Sequence, residues 1–295
     1  MDSPFFHYHA LFDAQETVRR HEAVGRQPTA GMLTNYLGVV IDPKFFPSIL
    51  DNLAGQVEPV PIPANWHADI AEWAAALRAV ELAGETFTAI ELGCGWACWL
   101  NNTGVAARAM GKRQMLIGVE GDEGHIKFAR ESTQANGFTP GQVQLYRGIA
   151  AGSTGVALFP RQVASGQLWD LQPVFGASAA QQAEAERLGT HDILPMISLS
   201  DIVRDLARVD LLHIDIQGGE AALIESCIGP INEKVSYLLV GTHSREIEGQ
   251  LFDRMLAEGW ELEIERPAIL RLEAGKTPFV TVDGVQGWRN KRLSP

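Results

Sequence analysis

The residues of this 295-residue chain best suited to chemistry are two glycine-bearing turns, several carboxylates expected at strand ends, and a few histidines beside them. Glu91-Leu92-Gly93-Cys94-Gly95-Trp96 ends an apolar run and opens a helical one. Glycines at a strand-to-helix turn let backbone approach a ligand closely, and the first amides of the next helix are free to donate. A second apolar run ends Ile117-Gly118-Val119-Glu120. This puts a carboxylate at the tip of the neighbouring strand, where the ribose of a nucleotide-type cofactor would lie. A dinucleotide turn wants a third glycine where Cys98 stands. The acid before the first glycine, Glu91, suits a cofactor with an ammonium group and repels phosphates. A nicotinamide-dependent dehydrogenase is therefore the weaker alternative.

The second constellation lies in Asp210-Leu211-Leu212-His213-Ile214-Asp215-Ile216-Gln217-Gly218-Gly219-Glu220. A buried strand delivers Asp215 to its carboxyl end, and strand alternation puts His213 on the same side, within reach of a hydrogen bond. Upstream, Ser198 and Asp201 form a capping-box-like helix start. After the next apolar run comes Thr242-His243-Ser244. An imidazole near neutral pKa is the natural base for a hydroxyl nucleophile, so His243 is the expected catalytic base. Asp215 is expected to position either that ring or the acceptor, and Ser244 to cap a helix. Asp122 is likewise a helix cap, and His125 reads as a partly buried, hydrogen-bonded histidine rather than an adenine contact. Asp215, His213, Glu220 and His243 offer ligands for a divalent ion. The second carboxylate of a hard-cation site is not clearly placed, so no metal ligand is assigned and magnesium stays a lesser alternative.

These groups need a scaffold, and the texture of the chain changes near residue 85. Before it, prolines between residues 41 and 63 forbid helix and regular sheet, and residues 67–83 then show helical periodicity. We read 1–85 as an extension that docks through this helix on a domain, 86–295, complete without it. Pro61-Ile62-Pro63-Ala64-Asn65-Trp66-His67 combines rigid chain with polar and aromatic groups, so Trp66 and His67 are expected to cover the active edge and touch the acceptor. After 85, strand-like runs at 87–92, 115–119, 143–146, 211–214, 235–240, 261–265 and 279–282 alternate with helical periods near 97–110, 123–136, 199–207, 219–228 and 245–258. Such alternation predicts a parallel sheet covered on both faces. Residues 160–190 break the rhythm and read as a loop inserted on the substrate side.

Composition narrows the partners. Lys and Arg number 24 against 36 Asp and Glu, a net charge of −12. With no basic run, nucleic acid and anionic membrane are poor partners. A 46% apolar share is ample for a core. The amino-terminal residues show no charged-then-apolar leader, and no run is long enough to span a bilayer. Three cysteines, an odd count without paired zinc spacing, read as reduced thiols. A cytoplasmic protein acting on a small-molecule or glycan acceptor is the expectation.

Glu91-x-Gly93-x-Gly95 resembles motif I of the S-adenosylmethionine-dependent methyltransferases, and Glu120 their ribose-binding acid. The blocks from Ile197 to Glu220 and Leu239 to Glu246 resemble the FkbM family, over about residues 87–260. That family more often has Lys at 213 and Glu at 217. The resemblance implies an α/β fold, a class I methyltransferase Rossmann-like sheet, mostly parallel with an antiparallel last strand. It implies S-adenosylmethionine held by Glu91, Gly93, Cys94, Gly95, Glu120, Gly121 and the 147–151 loop around Ala150. It also implies methylation of a carbohydrate or secondary-metabolite hydroxyl, with His213 and Gln217 on the acceptor side. A non-enzymatic S-adenosylmethionine binder or partner-binding scaffold is the other alternative.

Overall fold

The computed structural model describes residues 6–164 and 166–294; residues 1–5 of the leader reading lie outside it. Five parallel strands form the centre of the main sheet, in spatial order Tyr237–Thr242, Leu211–Ile214, Thr86–Leu92, Arg113–Glu120 and Val143–Arg147. Beyond Tyr237–Thr242 the sheet turns antiparallel through Gly284–Arg289, then Glu261–Arg266, then the short edge strand His9–Ala10. The sheet is thus mostly parallel, and its last strand in the chain, Gly284–Arg289, is antiparallel, as expected.

Alternation along the strands divides the core between two faces. Leu211 and Leu239 join one buried cluster with the helices Ile70–Leu82, Cys98–Ala109 and Glu123–Ala135. Leu212, Leu238 and Val240 join the other, against Leu199–Val203, Glu220–Lys234 and Arg245–Ala257. Helices thus cover both faces, and every parallel strand ends on one edge.

Two strand assignments need correction. Phe279–Val282 is a strand, but it pairs with Ile269–Arg271 in a separate hairpin. The last strand of the sheet is Gly284–Arg289, whose glycines weaken a sequence pattern yet are required by crowding. A Cβ on Gly287 would lie 2.6 Å from Ile264 Cγ2 and 2.8 Å from Tyr237 Oη. The expected loop at 160–190 is also more ordered than its composition suggests. Ile149–Ala151, His191–Ser198, Gly155–Pro160 and Val174–Phe175 make a second, four-stranded sheet in that order. Between its last two chain segments runs the helix Ala179–Leu188, with a Ser178/Gln181 capping box.

Residues before 85 enter the core rather than merely dock on it. Leu33, Tyr36, Val39, Ile41 and Leu50 belong to the same buried cluster as Trp73, Trp96 and Leu100. Asn35 Nδ2 donates to Asn102 Oδ1 at 2.7 Å, and Asn136 bonds both the amide and the carbonyl of Val40. Asp69 caps the Ile70–Leu82 helix and also makes a buried ion pair with Arg266.

Candidate active site

At the carboxyl edge of the parallel strands lies a cavity of about 640 Å³. Gly93, Gly95, Glu120, Gly121, Ala150, Asp215 and Gln217 all line it, as expected of a shared site. The turn Gly93–Gly95 is shaped by two close approaches. Gly93 has φ +77°, and a Cβ there would lie 2.0 Å from the Asp215 carbonyl oxygen. Gly95 has φ +52°, and a Cβ there would lie 2.6 Å from Trp169. Only glycine satisfies both demands at either position.

Backbone amides hold the acids of this turn. Glu120 accepts from the Gly95 amide at 2.8 Å and the Asp122 amide at 2.7 Å, one on each oxygen. Burial outweighs these bonds and pushes its carboxyl up to about 7. Glu91 departs from expectation. Its two oxygens accept from Trp99 N at 3.2 Å and Leu100 N at 3.0 Å, and it does not line the cavity. The reason is local: the helix Cys98–Ala109 starts after Ala97 in the left-handed region with no side-chain cap of its own, so Glu91 supplies one from the strand. Cys94 also turns inward, its Sγ filling the space beside Gly118, and burial raises its thiol well above the usual range.

His213 does not bond Asp215. Its Nε2 instead faces Glu72 Oε1, 3.4 Å away. Trp66 and His67 are also outside the cavity. His67 Nε2 meets Cys98 Sγ at 2.7 Å and its ring packs on Trp96 and Trp99, while burial lowers its pKa to about 4. Aromatic packing, not ligand contact, explains this segment's composition.

At the far end Asp215, Glu220 and His243 converge. His243 Nδ1 lies 2.9 Å from Glu220 Oε1, and Nε2 lies 3.3 Å from Asp215 Oδ1 and 3.9 Å from Asp283 Oδ2. Glu220 Oε1 also accepts from the Gly218 amide at 2.9 Å and the Ile216 amide at 3.2 Å, which fixes the carboxylate under the ring. Burial works against a charge on His243, but the Glu220 hydrogen bond and the Asp215 and Asp283 carboxylates prevail and raise it to about 9. The cluster thus favours the imidazolium form of His243 over the neutral ring. Asp215 sits at the floor of the recess, where burial lifts its carboxyl to about 6 against the opposing pull of His243. Gln217, in the left-handed region at φ +57°, turns its side-chain amide to 3.5 Å from Asp215 Oδ1. Ser244 caps the next helix through the Ile247 amide at 3.1 Å, as expected.

Ligand atoms of Asp215, Glu220 and His243 lie within 4.8 Å of one another, close enough for a divalent ion. The imidazolium already supplies a countercharge there. The sequence marks Trp169 only as an isolated large apolar residue of the 160–190 interval, and it gives no sign of Asp283. Trp169 stacks on His125 (ring centroids 4.0 Å) and on Phe46 (4.9 Å), and His125 Nε2 accepts from the Gly166 amide at 3.2 Å. A lone tryptophan in a Gly- and Ala-rich stretch was the available signal.

No protein-family model matches the chain. A protein of Jannaschia sp. (strain CCS1) named "Putative methyltransferase" is 45% identical over 276 residues, covering 94% of this chain and 98% of that one. Among solved structures, methyltransferase FkbM from Methylobacillus flagellatus KT superposes with a TM-score of 0.46 at 12% identity, over 74% of this chain and 54% of that one. The C-terminal domain of precorrin-6Y C5,15-methyltransferase from Rhodobacter capsulatus gives 0.42 at 11% identity, over 76% and 90%. The strand order described above carries the fold argument without these two. With a relative of nearly equal length at 45% identity and a cavity at the glycine turn, the chain belongs to the methyltransferases.

Proposed function

We propose that the chain is an S-adenosylmethionine-dependent O-methyltransferase of the FkbM kind, acting on a hydroxyl of a small molecule such as a carbohydrate or secondary metabolite. The observation that carries this reading is the cavity's charge: Glu120, Asp122 and Asp215 line it, and no lysine or arginine does. Such a wall suits ribose hydroxyls and a sulfonium cation and repels the pyrophosphate of a dinucleotide. Gly93 and Gly95 would bring backbone to the cofactor, Glu120 would accept from the ribose, and the Gly121 and Ala150 loops would flank the base.

The bound cofactor supplies an electrophilic methyl group on sulfur. The chain's part is to align the acceptor and take its proton. Asp215 is the cavity-facing acid of the far cluster and is ionised at neutral pH, so we assign it the proton. His243, held as an imidazolium, steadies that carboxylate and turns it toward the acceptor. With the cofactor bound, its sulfonium would supply the methyl group to the acceptor oxygen, and Asp215 would take the hydroxyl proton that the acceptor gives up.

The net charge of −12 favours a small-molecule acceptor over nucleic acid or an anionic membrane. Buried free Cys94, Cys98 and Cys227 suit a reducing cytoplasm. Among the described residues no helix is long and apolar enough to cross a membrane. Calorimetric titration with S-adenosylmethionine and with NAD, followed by transfer of a labelled methyl group into a cell extract, tests the reading. Binding of NAD alone overturns it. Cofactor binding with no labelled product from any extract leaves a non-enzymatic binder.

A further inference from the structure

The segment between the third parallel strand and Leu199 departs from the simple strand–helix alternation, and its inner surface is chemically uniform. Leu168, Trp169, Leu171, Pro173 and Phe175 all face the cavity, with Gln172 the one polar side chain among them. Four charged groups of the same segment pair elsewhere, Arg161 with Asp192 and Arg187 with Glu184. None of those four lines the cavity, and Asp170 and Glu186 also lie outside the cavity lining. Two wall residues also keep much of their apolar surface uncovered, Leu168 at 45% and Phe175 at 51%. Large apolar groups left bare at the wall of a cavity are what a ligand covers.

The opposite wall is made of the glycine turn and the strand-end acids, which are the cofactor's side in the methyl-transfer reading. Trp169 marks the seam, its edge against Gly95 and its faces stacked with His125 and Phe46. An acceptor that meets the methyl group must therefore rest against the inserted wall.

We infer that this insertion selects the acceptor, and that the acceptor is an uncharged, largely apolar hydroxyl compound, such as a hydroxylated aromatic ring, rather than a sugar phosphate, a carboxylate or a free glycan. The inference rests on the proposed methyl transfer for the side from which the acceptor enters. An apolar wall gains by covering a ring and loses by stripping water from an anion that it offers no cationic partner. The acids across the cavity add repulsion against the same anion.

The test uses the full chain saturated with S-adenosylhomocysteine, titrated with 1-naphthol, methyl glucoside and glucose 6-phosphate. Phe175→Asp and Leu168→Asp probe the wall, and both sites are exposed enough to spare the core. Leu188→Asp, on the same segment, 54% exposed and outside the cavity, is the control. Expected are 1-naphthol binding stronger than either sugar, a loss of at least about tenfold in each wall variant, and no change in the control. S-adenosylhomocysteine affinity should stay within about twofold throughout. Stronger binding of either sugar, or 1-naphthol affinity indifferent to both wall variants while S-adenosylhomocysteine binds normally, overturns the inference and leaves methyl transfer standing. Wall-sensitive 1-naphthol binding in a chain that takes no S-adenosylhomocysteine sinks the methyl-transfer reading instead.

Discussion

The glycine turn and the His243 cluster hold carboxylates in opposite ways. Glu91 and Glu120 are gripped by backbone amides on both oxygens, so each is locked by the path of the main chain. Asp215, Glu220 and Asp283 instead gather round one side chain, His243; Glu220 Oε1 takes two backbone amides as well, while its Oε2 has no hydrogen-bond partner among the described residues. Groups held by backbone cannot change partner without unfolding a turn, whereas groups held by each other can. The first arrangement defines a shape, and the second can move a proton.

If that contrast is right, substitutions at the two ends should fail differently. The largest effect belongs to Asp215→Asn, which leaves shape and removes the proton acceptor. Turnover should fall by about 10²- to 10⁴-fold while calorimetry shows nearly unchanged cofactor affinity. A rate within threefold of the parent would hand the proton to another group.

Next comes Gly93→Ala, which puts a Cβ against the Asp215 carbonyl and strains a left-handed residue. We expect cofactor affinity to drop on the order of a hundredfold, the equivalent of about 3 kcal/mol. Normal affinity with normal thermal stability would mean that the turn relaxes freely.

His243→Gln should cost about tenfold in rate, and its pH profile is the sharper readout. Parent activity should rise as pH passes about 6, where Asp215 ionises, and fall as it passes about 9, where His243 loses its proton. The variant should lose the alkaline fall and keep the acid rise. Loss of the acid rise instead would return the base role to His243. Stability carries the same sign. Because the folded pKa is raised above 6.5, the stabilisation due to His243 is complete below 6.5 and disappears as pH climbs through about 9, so the advantage of the parent in thermal melts should shrink over that window.

The smallest effect should come from Glu91→Ala. It uncaps two helix amides, for about 1–2 kcal/mol of stability in denaturant titration, with cofactor affinity unchanged. A large loss of affinity would restore Glu91 to the cofactor's side.

The glycine turn and the Asp215 strand were legible because their meaning lies in a few adjacent residues. The charge state of His243 was not, since Glu220 stands 23 positions before it and Asp283 forty after, and only the fold brings them together. Strand His191–Ser198 was hidden by Pro195, which pairs with Val156 without an amide to give. Gly284–Arg289 was hidden by its glycines, whose reason is the bulk of Ile264 and Tyr237 across the sheet. Trp66 and His67 misled because an aromatic–polar pair reads alike whether it greets a ligand or packs on Trp96 and Trp99.

The pairing of His9–Ala10 with Glu261–Arg266 has a consequence for how the molecule is made. The partner of the ninth residue is synthesised about 250 residues later, which at roughly 5–20 residues per second is a wait of tens of seconds on the ribosome. During that interval Leu33, Tyr36 and Ile41 have emerged, while Ile264 and Val285 of the same buried cluster have not. The nascent chain therefore carries a greasy, unfinished front half through most of its own translation. Its yield in a cell should fall when holdase chaperones at the tunnel exit are depleted.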